Sequence, residues 1–289
     1  MKKIMGICAI LFMTMCFWFL ASSNSHAGSH AGFKICLMQE QKGAAAKFRP
    51  LLDYLKNKGV KASFVAAKTY PQAAKMFADG KVDGMFSGSG IAGCMIIKGL
   101  AYPVVRPISN GGWSTYWAVV LAPEGSARFT QNAEYFRDKR VIFCGLASSG
   151  EFFYRAIKGD QEINAKTLKA SSHGAAIDAL DRGAADIAIV KNRVWDSVKG
   201  KYDGIARVGE DPGENPNMAL IVSKKADEKI VERISTILLG LKNDNSLEAE
   251  AVKEKLGITG FVKTTANDFK FTIPLLKKAG VDTSFDFSF

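Results

Sequence analysis

The feature that most constrains the fold is a repeated alternation of strand-like and helix-like segments. Residues 33–38 and 61–66 have the apolar pattern of buried strands, and residues 44–57 between them carry apolar side chains at helical spacing. The alternation continues with a helix predicted over 70–79 and a strand over 83–86. Helices that connect parallel strands cover both faces of a sheet, so this rhythm predicts an α/β fold.

The alternation breaks at Asn110-Gly111-Gly112, a turn signal, and then starts again. A long apolar strand is predicted over 115–121, followed by a second α/β unit over 140–198. The turn-rich segment 211–217 marks another boundary, and after a strand at 218–222 the chain is predicted to be helical. Two such units joined by two crossings predict two lobes with a cleft where strand ends and helix starts converge. The predicted bounds are 32–110 and 216–289 for the first lobe, and 111–215 for the second.

The N-terminus has the layout of a secretory signal peptide over residues 1–27. Lys2 and Lys3 precede an uncharged apolar run over 4–20, and small residues end in Ser25-His26-Ala27. The alternative is a membrane anchor, since the run approaches the ~17–25 residues that a span needs. We favour cleavage and expect a soluble protein in the periplasm.

The chain carries a net charge of +11, which suits an anionic partner. Its lysines are spread among acids, without a dense basic run or interleaved stacking aromatics. Nucleic acid is therefore not an expected partner.

Three cysteines, Cys36, Cys94 and Cys144, follow the signal segment. An odd number cannot pair completely, so the fold is not a disulfide scaffold. Three buried thiols are the favoured interpretation, and one disulfide among them remains the alternative.

The most informative motif is the turn Gly145 to Glu151, placed between a strand and an amphipathic helix. The first amides of a helix lack intrahelical acceptors, and the helix dipole favours negative charge there. Ser148 and Ser149 add hydroxyl donors, and Gly150 permits close approach. The alternative is simple N-capping by serine, which this motif alone favours equally.

The chain contains three further polar helix starts. They are the turn with Ser87 and Ser89, the segment Thr69-Tyr70-Pro71, and the segment Ser171 to Gly174 with His173. Distributed over both halves of the chain, the four starts predict donors that converge on one anion.

Catalysis and metal binding are not expected. A serine triad would use Ser148 or Ser149 with His173, but the sequence has no nucleophile elbow and no cluster with metal-ligand spacing. We expect no cofactor.

In order and spacing, these motifs resemble the substrate-binding proteins of phosphate, phosphite and phosphonate ABC transporters, the PhnD-like proteins. The resemblance rests on Thr69-Tyr70, Phe86-Ser87-Gly88, Ser148-Ser149-Gly150 and Ser172 to Ala176, and it covers nearly the whole chain after the signal segment. It implies a bilobal type II periplasmic-binding-protein fold with two mixed sheets. It also implies that a monomer delivers a small oxyanion to a membrane permease without catalysis.

By this resemblance, Tyr70, Ser148, Ser149 and His173 would hydrogen-bond the oxyanion. At the position where the family often has an acid for the amino group of an aminoalkyl phosphonate, this chain has Lys191. A lysine there would repel an amine and favour extra negative charge, unless its side chain points to solvent.

Gly88 and Ile91 also depart from the family, which often has a proline and a tyrosine there. The alternative function is a sensory protein that binds an oxyanion such as arsenite and signals to a membrane histidine kinase. In that case Cys94 or Cys144 would reach the cleft, because a thiol is a soft ligand.

Overall fold

The computed structural model describes residues 32–38, 44–145 and 147–287, so the predicted signal segment 1–27 lies outside the described residues. The strands are β1 (Phe33–Met38), β2 (Ala62–Ala67), β3 (Gly84–Ser87), β4 (Ala101–Ser109), β5 (Thr115–Tyr116), β6 (Ala118–Pro123), β7 (Arg140–Cys144), β8 (Lys166–Ala170), β9 (Ile187–Lys191), β10 (Ile205–Glu210), β11 (Asn215–Pro216), β12 (Ala219–Ser223) and β13 (Ile258–Lys263). The helices are α1 (Arg49–Asn57), α2 (Tyr70–Ala78), α3 (Ser89–Ile97), α4 (Ser149–Lys158), α5 (His173–Asp181), α6 (Asn192–Val198), α7 (Glu228–Gly240), α8 (Leu247–Leu256) and α9 (Thr272–Lys278). Short 3-10 turns are Ala44–Phe48, Ala133–Phe136, Lys199–Lys201, Leu241–Asn243 and Ala266–Phe269. Within the described part of the chain, no helix combines the length and apolarity that a bilayer span requires.

The first lobe is built on a six-stranded sheet in the order β13-β4-β12-β3-β1-β2. β1 pairs in parallel with β2 and β3, as the strand and helix rhythm predicts. β12 enters between β3 and β4 and runs antiparallel to both, and β13 runs antiparallel to β4 at the edge. The sheet is therefore mixed, because the chain returns to it from the second lobe.

The second lobe is built on a five-stranded sheet in the order β10-β6-β9-β7-β8. β7 pairs in parallel with β8 and β9, and β6 runs antiparallel to β9 and β10. Both sheets are thus mixed, and the predicted α/β fold class is confirmed.

Neighbouring residues of the central strands pack into different apolar clusters. In the first sheet, Leu220 of β12 belongs to one cluster and Ile221 to another. In the second sheet, Val120 and Leu121 of β6 likewise belong to two different clusters. Side chains of adjacent strand residues point to opposite faces, so both faces of each sheet are buried.

The prediction that the chain after residue 222 is entirely helical was wrong. Residues 258–263 form β13, and the helix predicted from residue 268 begins only at Thr272 after a 3-10 turn. β13 contains Gly260, which takes a φ of 156° at an irregularity in the pairing with β4. A Cβ at Gly260 would lie 2.7 Å from the Lys242 Cβ, so tertiary packing explains the glycine.

The two crossings between the lobes are hydrogen-bonded to each other. β5 in the first crossing pairs antiparallel with β11 in the second, with Tyr116 opposite Asn215. The buried Asp211 carboxylate accepts hydrogen bonds from the Gly213 amide at 2.9 Å and from the Asn215 side chain at 3.2 Å. Thr272 at the start of α9 donates to Asn215 at 2.6 Å. These buried contacts hold the second crossing against both the first crossing and the C-terminal helix.

Candidate functional site

A small cavity lies where the carboxyl ends of strands from both sheets meet helix starts. Its volume is about 10 Å³, roughly what one water molecule needs. A ligand larger than water therefore enters only when the surrounding elements move apart. The lining residues are Tyr70, Gly88, Gly90, Ile91, Tyr116, Ala147, Ser148, Ser149, His173 and Lys191.

The start of α4 contributes two hydroxyl groups to the cavity. Ser148 is the N-cap, and its Oγ accepts the Glu151 amide at 3.2 Å. The capping interpretation is therefore correct for Ser148, although the residue also lines the cavity.

Glu151 is buried and accepts a hydrogen bond from the Ala147 amide, which holds Ala147 in a left-handed conformation with φ 61°. Burial raises the pKa of the Glu151 carboxyl.

Gly150 is needed for close packing of α4 against the sheet, which the sequence did not suggest. A Cβ at Gly150 would lie 2.8 Å from the carbonyl oxygen of Ile189 in β9. The residue permits the helix to approach the sheet, and it is not among the residues that line the cavity.

Tyr116 connects the two lobes through a chain of hydroxyl groups. Its side chain is buried, and its hydroxyl donates to Ser149 Oγ at 2.7 Å and lies 2.7 Å from Ser89 Oγ. Since the single tyrosine proton goes to Ser149, Ser89 donates to Tyr116. The hydroxyl hydrogen of Ser149 then remains for an acceptor in the cavity.

His173 is the first residue of α5, and the residue is 7% exposed. Ser172 caps the helix by accepting the Ala175 amide at 3.1 Å, and His173 lines the cavity. Among the described residues, no group hydrogen-bonds its buried Nδ1. A buried polar atom without a partner costs about 1–3 kcal/mol.

Burial, with a further contribution from the Lys191 charge, lowers the pKa of His173 from 6.5 to about 3. The folded protein then binds fewer protons here than the unfolded chain between about pH 6.5 and pH 3. The contribution of His173 to the free energy of unfolding is therefore complete above about pH 6.5, and it is lost as the pH falls below that value.

We expect this histidine to make the ligand-free protein about 2 kcal/mol less stable at pH 5 than at pH 7. Urea unfolding at the two pH values measures the difference. Other carboxyl groups titrate in the same range, so the comparison is made with His173→Gln, which should lose about 2 kcal/mol less on acidification. An equal loss in both proteins contradicts the lowered pKa.

Lys191 ends β9, and its half-buried side chain lines the cavity. The Nζ lies 4.5 Å from the Tyr116 ring centroid and donates to Asn217 Oδ1 at 3.3 Å. No carboxylate in the described part of the chain forms an ion pair with it. The cavity therefore contains a positive charge that protein acids do not neutralise.

The first-lobe residues predicted for the site divide into two groups. Tyr70 begins α2 and lines the cavity, with Thr69 as the N-cap that accepts the Gln72 amide at 3.2 Å. Ser87 Oγ donates to the Gly88 carbonyl at 3.3 Å, and Ser89 contacts Tyr116. Neither serine lines the cavity. Ser89 is connected to the cavity only through its hydrogen bond with Tyr116.

The structure adds Tyr116 and Asn217, which sequence reasoning missed. Both lie in the crossings, outside the pattern of polar helix starts on which the prediction was based. A tyrosine directly before a buried strand was the one local signal for Tyr116.

The three described cysteines are buried thiols, and no disulfide joins them. Burial raises the pKa of Cys36 to about 11 and also raises that of Cys94, which disfavours the thiolate form. None of the three lines the small cavity, but Cys144 lines a larger space beside it. The described residues also contain no cluster of histidine, cysteine and carboxylate side chains fit for a metal ion.

Several solved structures share this fold. A Xanthomonas citri protein bound to ATP has a TM-score of 0.71 at 16% identity, with 86% of this chain and 96% of that chain covered. The PhnD1 protein of Prochlorococcus marinus, in complex with methylphosphonate, has a TM-score of 0.68 at 13% identity, with 86% and 98% covered. A binding protein component of a phosphonate ABC transporter from Pseudomonas aeruginosa has a TM-score of 0.66 at 14% identity, with 86% of each chain covered. These likenesses define the class, a bilobal protein with the type II periplasmic-binding-protein fold.

The family follows from the sequence itself. Residues 33–269 match the periplasmic substrate-binding proteins of phosphonate ABC transporters, and the chain belongs to this family. A search of the curated proteins returns no match. The resemblance seen in the motifs is confirmed, and at family level the protein is a transport binding protein.

Proposed function

We propose that this protein captures a small oxyanion of the phosphonate, phosphite or phosphate class between its lobes. It would act in the periplasm as a monomer and present the loaded form to the membrane permease of an ABC transporter. The proposed lobes are residues 32–110 with 216–289, and residues 111–215. His173 carries the proposal, because its buried imidazole lines the cavity and its Nδ1 has no partner among the described residues.

The neighbouring groups suit a tetrahedral anion. The hydroxyl hydrogen of Ser149 remains available, Lys191 supplies an unneutralised positive charge, and the first amides of α4 lie beside the cavity. Charge-assisted hydrogen bonds of this kind are about twice as strong as neutral ones. The methylphosphonate complex of the Prochlorococcus marinus protein is consistent with a ligand of this class.

Lys191 argues against an amine on the ligand. An ammonium group close to Lys191 Nζ would be repelled, and no acid lines the cavity to compensate. We therefore expect a simple oxyanion or a ligand with additional negative charge.

The sensory alternative receives no support from the family match. A thiophilic oxyanion would need a thiol in the small cavity, and the described cysteines do not line it. Cys144 lines only the larger space beside that cavity.

A thermal-shift panel tests the proposed function. At a ligand concentration of about 100 Kd, binding stabilises a protein by about 2.7 kcal/mol, which corresponds to about 5–10 °C in Tm for a chain of this size. We expect a shift in this range with at least one of phosphate, phosphite and methylphosphonate. Nitrate, a planar anion, is the control and should produce little change. A panel in which no oxyanion of the three raises Tm contradicts the proposal.

A further inference from the structure

A second, larger chamber lies beside the small cavity. Its volume is about 460 Å³, against about 10 Å³ for the cavity. Half of its lining residues come from the segment around the start of α2 and the end of β1 in the first lobe, and half from the ends of β7 and β8 in the second. It therefore lies between the lobes and has room for a substituent of several atoms.

Tyr70 belongs to the linings of both spaces. The turn after β7 approaches its ring closely, since a Cβ at Gly145 would lie 3.4 Å from the Tyr70 side chain. The aromatic ring therefore forms part of the wall shared by the cavity and the chamber. A ligand bound beside His173 would reach the chamber by passing Tyr70.

The charged residues that line the chamber are all positive. Lys68 lines it from the first lobe and Lys169 from the second, and none of its lining residues is an acid. In the described part of the chain, neither ammonium group forms an ion pair with a carboxylate. An anionic group that enters this space is attracted to both ammonium groups.

We propose that this chamber receives an anionic substituent of the ligand. The preferred ligand then carries two negatively charged groups: an oxyanion head in the small cavity and a carboxylate or second phosphoryl group near Lys68 and Lys169. This inference rests on the proposed function and narrows its ligand class. The remaining chamber walls include Met38, Pro71 and Ala170, which suit a short carbon linker between the two groups.

Calorimetric titration with phosphonoacetate and methylphosphonate tests the inference. The two ligands share the phosphonate head and differ by the carboxylate. We expect the wild-type protein to bind phosphonoacetate about tenfold more tightly, with a preference that declines between about 50 and about 300 mM salt because exposed charges are screened.

The variants Lys68→Gln and Lys169→Gln should each reduce that preference about two- to fivefold, the range of an exposed ion pair. The double variant should bind both ligands with similar affinity. Methylphosphonate affinity should change less than about twofold in every variant. Lys166→Gln is the matched control. Lys166 begins β8, the strand that carries Lys169 near its other end, and it does not line the chamber.

The outcomes separate the two claims. Equal binding of both ligands by the wild-type protein overturns the inference and leaves oxyanion binding intact. A preference for phosphonoacetate that survives in the double variant also overturns it, since the lysines then do not hold the carboxylate. If neither ligand binds, the proposed function fails, and the inference fails with it.

Discussion

Replacing Lys191 with glutamate is expected to weaken binding of methylphosphonate or phosphate by at least about 100-fold, or about 2.7 kcal/mol. Lys191 is half-buried at the cavity, and its Nζ lies 4.5 Å from the Tyr116 ring centroid. One charge pair at about 4 Å is worth about 4 kcal/mol at an effective dielectric constant of about 20. Since the substitution turns this attraction into repulsion, the expected loss remains large after screening. Calorimetric titration measures it directly.

The same variant should change which ligand is preferred. The carboxylate that Lys191→Glu introduces at the cavity supplies the acid that an amine-bearing ligand needs. The ratio of 2-aminoethylphosphonate to methylphosphonate affinity should rise at least about tenfold relative to wild type, or about 1.4 kcal/mol. Lys191→Met, which removes the charge without reversing it, should give an intermediate loss of about tenfold for methylphosphonate.

Lys201→Glu is the matched control for Lys191→Glu. It makes the same change in net charge at an exposed position in the 3-10 turn Lys199–Lys201. Binding should change less than about twofold in this variant. If Lys201→Glu and Lys191→Glu weaken binding equally, the effect comes from net charge, and Lys191 has no direct role in the site.

Replacing His173 with alanine is expected to weaken oxyanion binding about 10- to 150-fold. A hydrogen bond to a charged group contributes about 1.5–3 kcal/mol, and each ~1.4 kcal/mol is tenfold in affinity. The imidazole is neutral at pH 7 because burial and the Lys191 charge lower its pKa to about 3. Binding should therefore stay nearly independent of this group between about pH 6 and pH 8, as titrations at several pH values will measure.

Two further variants separate the role of His173 in binding from its role in folding. His173→Gln retains an N–H donor and should recover part of the affinity. Ser172→Ala removes the cap on the Ala175 amide and costs about 1 kcal/mol of stability, but it leaves the imidazole in place. Its oxyanion affinity should remain close to wild type. Wild-type affinity in His173→Ala contradicts the proposed site.

The helix starts were predictable because capping depends on residues a few positions apart. Thr69, Ser148 and Ser172 each accept the amide three residues later, as the sequence pattern indicates. Three strands at sheet edges, β8, β10 and β13, were not predicted. β8 is mostly exposed, and β10 and β13 contain pairing irregularities, so the local apolar pattern was a weak guide.

The candidate site was predictable only in part. Tyr70, Ser148, Ser149, His173 and Lys191 share one cavity, whereas Ser87, Ser89 and Gly150 do not line it. Tyr116 hydrogen-bonds Ser149, 33 residues away, and Lys191 contacts Asn217, 26 residues away. No local rule connects residues at such separations, because the order of strands in the two sheets brings them together.

The sequence by itself determined the alternation of strands and helices, the polar helix starts and the family. These depend on local periodicity and capping, which a few neighbouring residues specify. The tertiary structure alone decided which polar groups share the cavity, that the Nδ1 of His173 has no partner among the described residues, and that Lys191 faces the cavity. The reason is physical: burial, charge and hydrogen-bond partners at this site arise from contacts between two lobes, and those contacts exist only when the crossings bring both sheets together.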